Sequence, residues 1–145
     1  MDLKIFEYCF QYDDGKTMEG LESADVIILG PSRVGKTPLC FYLSYMGIKA
    51  VNIPLFPELN FDCSILSDYR KKTFGLTRAV DSLRDRRITR EKSLGMNTNY
   101  SDTMRIIDEL DYAENIYKKL GIPTIDLDKT AIEEASDFIS DRIGK

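Results

Sequence analysis

The sequence predicts an α/β fold: a three-layer sandwich around a mostly parallel sheet, of the P-loop nucleotide-binding type. Three observations predict it. The apolar run Val26-Ile27-Ile28-Leu29 leads straight into Gly30-Pro31-Ser32-Arg33-Val34-Gly35-Lys36-Thr37, which fits the pattern G-x-x-x-x-G-K-[ST] between a strand and a helix. Short apolar runs alternate with helical patterns along the rest of the chain, as they do in βα units. With 145 residues the chain reads as a single domain, 1–145, large enough to bury a core without metal or disulfide support.

The elements follow in order. Asp25 to Leu29 forms the first strand, and a helix opens at Lys36 and runs to Met46, ended by Gly47. Lys49 to Ile53 is the second strand, stopped by Pro54; a loop follows Pro57, with a short helix near Ile65 to Tyr69. Lys72 to Leu76 is the third strand and Arg78 to Leu94 a charged helix. The next helix has the clearest pattern, with Ile106, Leu110, Ala113, Tyr117 and Leu120 on one face, Ser101 as N-cap and Gly121 as C-cap. Pro123 introduces the strand Thr124 to Leu127. The capping box Thr130-Ala131-Ile132-Glu133 opens a final helix that buries Ile132, Ala135, Ile139 and Ile143. Tyr112 and Tyr117 are expected in the core.

Composition excludes several classes of function. Twenty basic against 24 acidic residues give a net charge of −4, which argues against a nucleic-acid surface driven by bulk charge. The chain has no histidine, so Ser-His-Asp hydrolysis, Cys-His proteolysis and His-ligated metal sites are ruled out. Cys9, Cys40 and Cys63 are odd in number and widely spaced, which suggests a reducing compartment and no zinc site. No apolar run approaches the roughly 20 residues that cross a bilayer, and the N-terminus lacks a secretory pattern, so no membrane association is expected and the cytoplasm is the default.

The glycine-rich loop carries the chemistry. Gly30 and Gly35 permit backbone angles and close approach that a Cβ obstructs, so that successive N–H groups can form a concave anion site at a helix N-terminus. Lys36 brings a mobile charge to terminal phosphates, and the Thr37 hydroxyl is placed to ligate Mg²⁺. Arg33 adds a cation inside the loop. The loop residues Gly30, Pro31, Ser32, Arg33, Val34, Gly35, Lys36 and Thr37 are the predicted nucleotide site.

Ligands of an open parallel sheet sit beyond the carboxyl ends of its strands. The expected rim therefore comprises the loop, a rigid wall at Pro54-Leu55-Phe56-Pro57-Glu58, Thr77 with Arg78, and Asp126 with Asp128. Asp126 is a candidate to hold Mg²⁺ through water or to take a proton; alternatively, Asp126 or Asp128 caps the final helix. Asp13-Asp14-Gly15 reads first as a turn. Arg84, Arg87 and Arg90 are three apart on one helix face, able to meet phosphates or an acidic partner but more simply solvated, as Arg86 and Arg90 are expected to be.

Further pieces stand in order along nearly the whole chain. They are Asp13-Asp14-Gly15, Ala24-Asp25 ahead of the loop with Pro38-Leu39 behind it, Tyr42-Leu43, Gly47-Ile48-Lys49-Ala50, Asn52-Ile53-Pro54-Leu55 and Gly75-Leu76-Thr77. Leu83-Arg84, Arg87, Tyr100, Glu109-Leu110, Tyr112-Ala113, Ile125-Asp126 and Ile132-Glu133-Glu134-Ala135 complete the set. In these residues the chain resembles the bifunctional kinase/pyrophosphorylase family, the regulators of pyruvate phosphate dikinase and of phosphoenolpyruvate synthase. It is similar to the C-terminal, phosphate-loop part of those longer proteins.

The resemblance implies an enzyme that uses ADP (or ATP) with Mg²⁺ to phosphorylate a threonine on its dikinase or synthase target. It also implies removal of that phosphate by inorganic phosphate, a co-substrate, with release of pyrophosphate. Lys36, Asp13, Asp14 and Asp126 become the candidates for catalysis. Gly35 brings the loop closer to the general pattern than the Ser or Thr-Ser variants seen in the family, and Cys40 stands where a small hydroxyl residue is common. A nucleotide-binding regulatory module without catalysis and a small-metabolite kinase are the other readings, and a homo-oligomer is left open.

Overall fold

The computed structural model describes residues 20–94 and 102–145. It is an α/β structure: β1 (Val26–Gly30), α1 (Lys36–Tyr45), β2 (Ala50–Pro54), β3 (Thr73–Thr77), α2 (Val80–Leu94), α3 (Thr103–Leu120), β4 (Thr124–Asp126) and α4 (Ile132–Ile143). Two stretches of 3-10 helix, Pro57–Leu59 and Cys63–Lys72, fill the connection between β2 and β3.

The four strands are parallel in the order β2-β1-β3-β4, with Val26 opposite Ala50, Ile27 opposite Thr73 and Gly75 opposite Thr124. The step from β1 to β2 and the step from β3 to β4 run in opposite directions across the sheet. Right-handed crossovers then put α1 and α3 on opposite faces. The alternation within β1 shows this: Val26 and Ile28 pack with Leu39 and Leu43 of α1 and Ala135 and Ile139 of α4. Ile27 and Leu29 pack with Ala113, Ile116, Tyr117 and Leu120 of α3. Both faces are covered, which is why the strand reads as an unbroken apolar run.

Several boundaries move by one or two residues from those expected, and three helix starts differ. Ser101 lies outside the described residues; Asp102 caps α3, its Oδ1 accepting from the N–H of Met104 at 2.9 Å and of Arg105 at 3.3 Å. The final helix caps on Ala131, one residue past the Thr130 of the expected capping box. Arg78 does not begin α2, because its guanidinium is drawn back to the end of the sheet. Ile132, Leu110 and Ile143 are partly buried against the core rather than enclosed.

Gly75 shows how closely α3 sits on the sheet. A Cβ there would lie 2.5 Å from the Tyr117 ring, whose hydroxyl is 2.8 Å from the Leu76 carbonyl and 3.2 Å from that of Leu29. Burial of this phenol pushes its pKa upward, so it stays a neutral donor. Because the ring is pinned by its hydroxyl, Gly75→Ala is expected to destabilise the fold by about 1–3 kcal/mol, the range for overpacking a tight core. Urea denaturation checks this.

Candidate functional site

The strand order reverses between β1 and β3, and in open α/β sheets ligands bind beyond the carboxyl ends of the strands at such a point. The loop from Gly30 to Gly35 occupies that point. Two of its residues have left-handed backbones, Arg33 with φ 69° and Gly35 with φ 124°. The first costs a non-glycine residue about 1–2 kcal/mol. At Gly35 a Cβ would also meet Leu127 Cδ1 at 2.6 Å, and at Gly30 it would meet Val34 Cγ1 at 2.7 Å. Both glycines of the pattern are thus sterically required.

Three carbonyls of the loop are held by three cations. Lys36 Nζ, on a buried side chain, donates to the Pro31 carbonyl at 3.0 Å. Arg87 donates to the Ser32 carbonyl through Nε at 3.2 Å and Nη2 at 3.1 Å, and Arg78 Nε donates to the Val34 carbonyl at 2.7 Å. In a trans peptide the N–H points opposite to its carbonyl. The N–H groups of Ser32, Arg33 and Gly35 therefore face away from these anchors. The Val34 N–H closes a turn onto Pro31 O at 3.3 Å, and the loop is curled rather than extended.

Arg87 is fully enclosed, with 0% relative exposure. Its Nη1 donates to Glu109 Oε2 of α3 at 2.5 Å, so the charge is buried with a partner. A second guanidinium, Arg105, lies 3.8 Å from Glu109 Oε1 and also forks onto the exposed Glu58 carboxylate. Glu58 is held down to about 2 by that Arg105 hydrogen bond. A chain of alternating charge thus runs from the glycine loop to the turn after β2.

On the other side, Arg78 Nη1 donates to Asp128 Oδ1 at 2.9 Å and to the Leu127 carbonyl at 3.2 Å. Asp128 also accepts from the Ala79 N–H at 2.7 Å and the Ser82 hydroxyl at 2.7 Å, tying the start of α2. Burial works to raise this carboxyl, but the hydrogen bonds from Ser82, Ala79 and Arg78 outweigh it and hold the pKa below the usual range. Asp126, half-buried at the end of β4, accepts the Asp128 N–H on Oδ1 at 2.9 Å.

A sequence model of the kinase/pyrophosphorylase family matches residues 2–139. The chain belongs to the kinase/pyrophosphorylase family. It is 41% identical over 98% of its length to a provisionally named pyruvate, phosphate dikinase regulatory protein of Clostridium beijerinckii, covering 54% of that protein. Relatives with the same provisional name include one from Clostridioides difficile, 40% identical over 96% of this chain and 50% of the relative. Another, from a Thermoanaerobacter species, is 41% identical over 94% of this chain and 52% of its own length. The chain spans about half the length of the curated relatives it matches.

In this family member the structure brings together Gly30, Pro31, Ser32, Arg33, Val34, Gly35 and Lys36 on one curled loop, with the exposed Thr37 in the first turn of α1. Asp126 stands two strands from β1. Asp13 and Asp14 lie outside the described residues. Neither Asp126 nor Asp128 caps the final helix: Asp126 closes its own turn, and Asp128 reaches α2 instead. The expected arginine face also splits, since Arg84, Arg86 and Arg90 are exposed while Arg87 turns inward with Leu83. No described helix is long and apolar enough to cross a membrane.

Arg87 as a buried loop anchor, and Glu109 with it, were not expected from the sequence. A signal was present. Glu109 falls on the apolar stripe of α3, three residues after Ile106 and four before Ala113, and a carboxylate in a buried stripe needs a cation. Arg78 was expected on the rim, but its grip on Val34 and Leu127 was not.

Proposed function

We propose that this chain is the phosphoryl-transfer part of a reversible regulator of pyruvate phosphate dikinase or phosphoenolpyruvate synthase. In the forward direction the β-phosphoryl group of ADP passes to a threonine hydroxyl of the target, giving phosphothreonine, AMP and a proton. In the reverse direction inorganic phosphate attacks phosphothreonine, giving threonine and pyrophosphate. The observation that carries this reading is the β1–α1 loop, whose Pro31, Ser32 and Val34 carbonyls are each held by a cation so that opposing N–H groups can face a phosphate chain.

The residues fit such a ligand. The N–H groups of the loop hold the phosphates, Lys36 meets the terminal phosphate, and Gly30 and Gly35 leave the room a Cβ would fill. Mg²⁺, when bound, neutralises developing phosphate charge; Thr37 would hold it, with Asp126 within the same rim. Among the described residues no group of three or more acidic or thiol side chains gathers to form a metal cage, so the ion would depend on the phosphates for most of its ligands. Asp126 has Oδ2 uncommitted among the described residues and is the proposed proton acceptor or water-mediated metal ligand there, with Asp13 and Asp14 as the other candidates.

Incubating the chain with labelled ADP and each candidate target tests the reading. Phosphothreonine is expected with the native chain and none with Lys36→Ala, whose ADP affinity falls by at least about tenfold, the weight of one charge-assisted contact. Equal ADP affinity in the two would overturn the assignment of the loop. Sound ADP binding without transfer would instead give the regulatory module.

A further inference from the structure

Three parts of the fold meet at Asp128, in the turn between β4 and α4. Its Oδ1 accepts from Arg78 Nη1 at 2.9 Å and from the Ser82 hydroxyl at 2.7 Å, and its Oδ2 accepts from the Ala79 N–H at 2.7 Å. Its own N–H donates the other way, to Asp126 Oδ1 at 2.9 Å. The same turn is closed on the Asp126 carbonyl by the N–H groups of Lys129 at 3.1 Å and Thr130 at 3.0 Å. One residue therefore holds the carboxylate at the end of β4 with its backbone and the start of α2 with its side chain.

Arg78 carries the connection on to the glycine loop. Its side chain is 8% exposed, with Nε on the Val34 carbonyl at 2.7 Å and Nη1 also on the Leu127 carbonyl at 3.2 Å. A guanidinium this enclosed needs a counter-charge, and carbonyls supply only dipoles. Among the described residues Asp128 is its ion-pair partner. Leu127 adds an apolar contact from the same turn, its Cδ1 standing 2.6 Å from where a Cβ on Gly35 would lie. The turn that bears Asp126 and the second half of the loop are thus joined at one charged point and one packed one. The first half of the loop is held elsewhere, Pro31 by Lys36 and Ser32 by Arg87.

We propose that Asp128 is a positioning residue that sets the Asp126 carboxylate against the glycine loop, acting through Arg78. It rests on the phosphoryl-transfer reading, in which Asp126 works on a group that the loop holds, and it names what keeps the two in register. Transfer demands that register to within a fraction of an ångström, whereas nucleotide binding needs only the loop. Loss of the Asp128 carboxylate leaves Arg78 without its counter-charge and frees the turn from α2, while the Lys36 and Arg87 anchors stay in place. The rate of transfer then falls much more than the affinity for ADP.

Asp128→Asn, Arg78→Gln and the double variant test this by two measurements. The first is amide hydrogen exchange followed by mass spectrometry. In D128N, exchange is expected to rise about tenfold both in the turn from Asp126 to Thr130 and in the loop from Ser32 to Thr37, and to stay native in β2. The second is the kinetics of phosphothreonine formation from ADP. In D128N, kcat is expected to fall by about tenfold with KM for ADP within about threefold, and the double variant to be no slower than R78Q alone, since both changes break one connection. Faster exchange in the turn with a native loop would overturn the proposal, as would a rise throughout the sheet, an unchanged kcat, or rate losses that multiply in the double variant. If the native chain transfers no phosphate, the phosphoryl-transfer reading falls separately, and the exchange of loop and turn still decides whether Asp128 joins them.

Discussion

Replacing Arg87 with methionine is expected to cost about 3–5 kcal/mol of stability, the range for stripping one partner from a buried ion pair. The guanidinium has no exposed surface, and among the described residues its loss leaves the buried Glu109 with Arg105, at 3.8 Å, as its remaining cation. The Ser32 carbonyl loses both of its Arg87 donors at the same time. Stability and function should then separate in the double variant Arg87→Met with Glu109→Leu. Removing both charges of a buried pair is often neutral, so much of the stability returns, whereas the Ser32 carbonyl still lacks its two Arg87 donors and ADP affinity remains low. Urea midpoints and calorimetric titration of ADP measure the two effects independently. A double variant that recovered full affinity would show that the pair serves the fold alone.

Gly35→Ala is expected to lower ADP affinity by at least about tenfold, with a stability loss of about 1–3 kcal/mol from the strained backbone. Two causes act together. The native φ of 124° lies where an L side chain is disfavoured, and the added Cβ would stand 2.6 Å from Leu127 Cδ1 and 3.5 Å from Arg78 Nη2. Relief of either cause moves the Lys36 end of the loop, because Arg78 holds the Val34 carbonyl one residue before the glycine. Adding Leu127→Ala removes the steric contact but not the backbone preference, so affinity should return only in part. Native affinity in Gly35→Ala would mean that the nucleotide does not use this loop.

Much of the architecture was readable along the chain. All four strands, both covered faces of β1 and the helices on either side follow from local apolar runs and helical spacing, and their ends shift by only a residue or two. The caps were less readable, because they depend on which of two neighbouring polar residues turns back: Asp102 caps α3 in place of the expected Ser101, and Asp128 ties α2 from 49 residues away. The arginines of α2 were the hardest case. Spacing of three grouped Arg84, Arg87 and Arg90, yet burial selects Arg87 alone, since the partners that make a buried guanidinium tolerable include Glu109 on α3 and Ser32 in the loop.

The glycine loop, its lysine and the strand that delivers it are properties of contiguous residues, governed by backbone sterics and side-chain period, and these can be read without coordinates. Which cations orient the loop is a different matter. Arg78 and Arg87 reach Val34 and Ser32 across 44 and 55 residues, and only the packing of α2 and α3 against one end of a sheet with the order β2-β1-β3-β4 brings them there. Charges that meet through folding leave no local pattern, because the energy that pairs them comes from burial that the whole sheet and its helices create together.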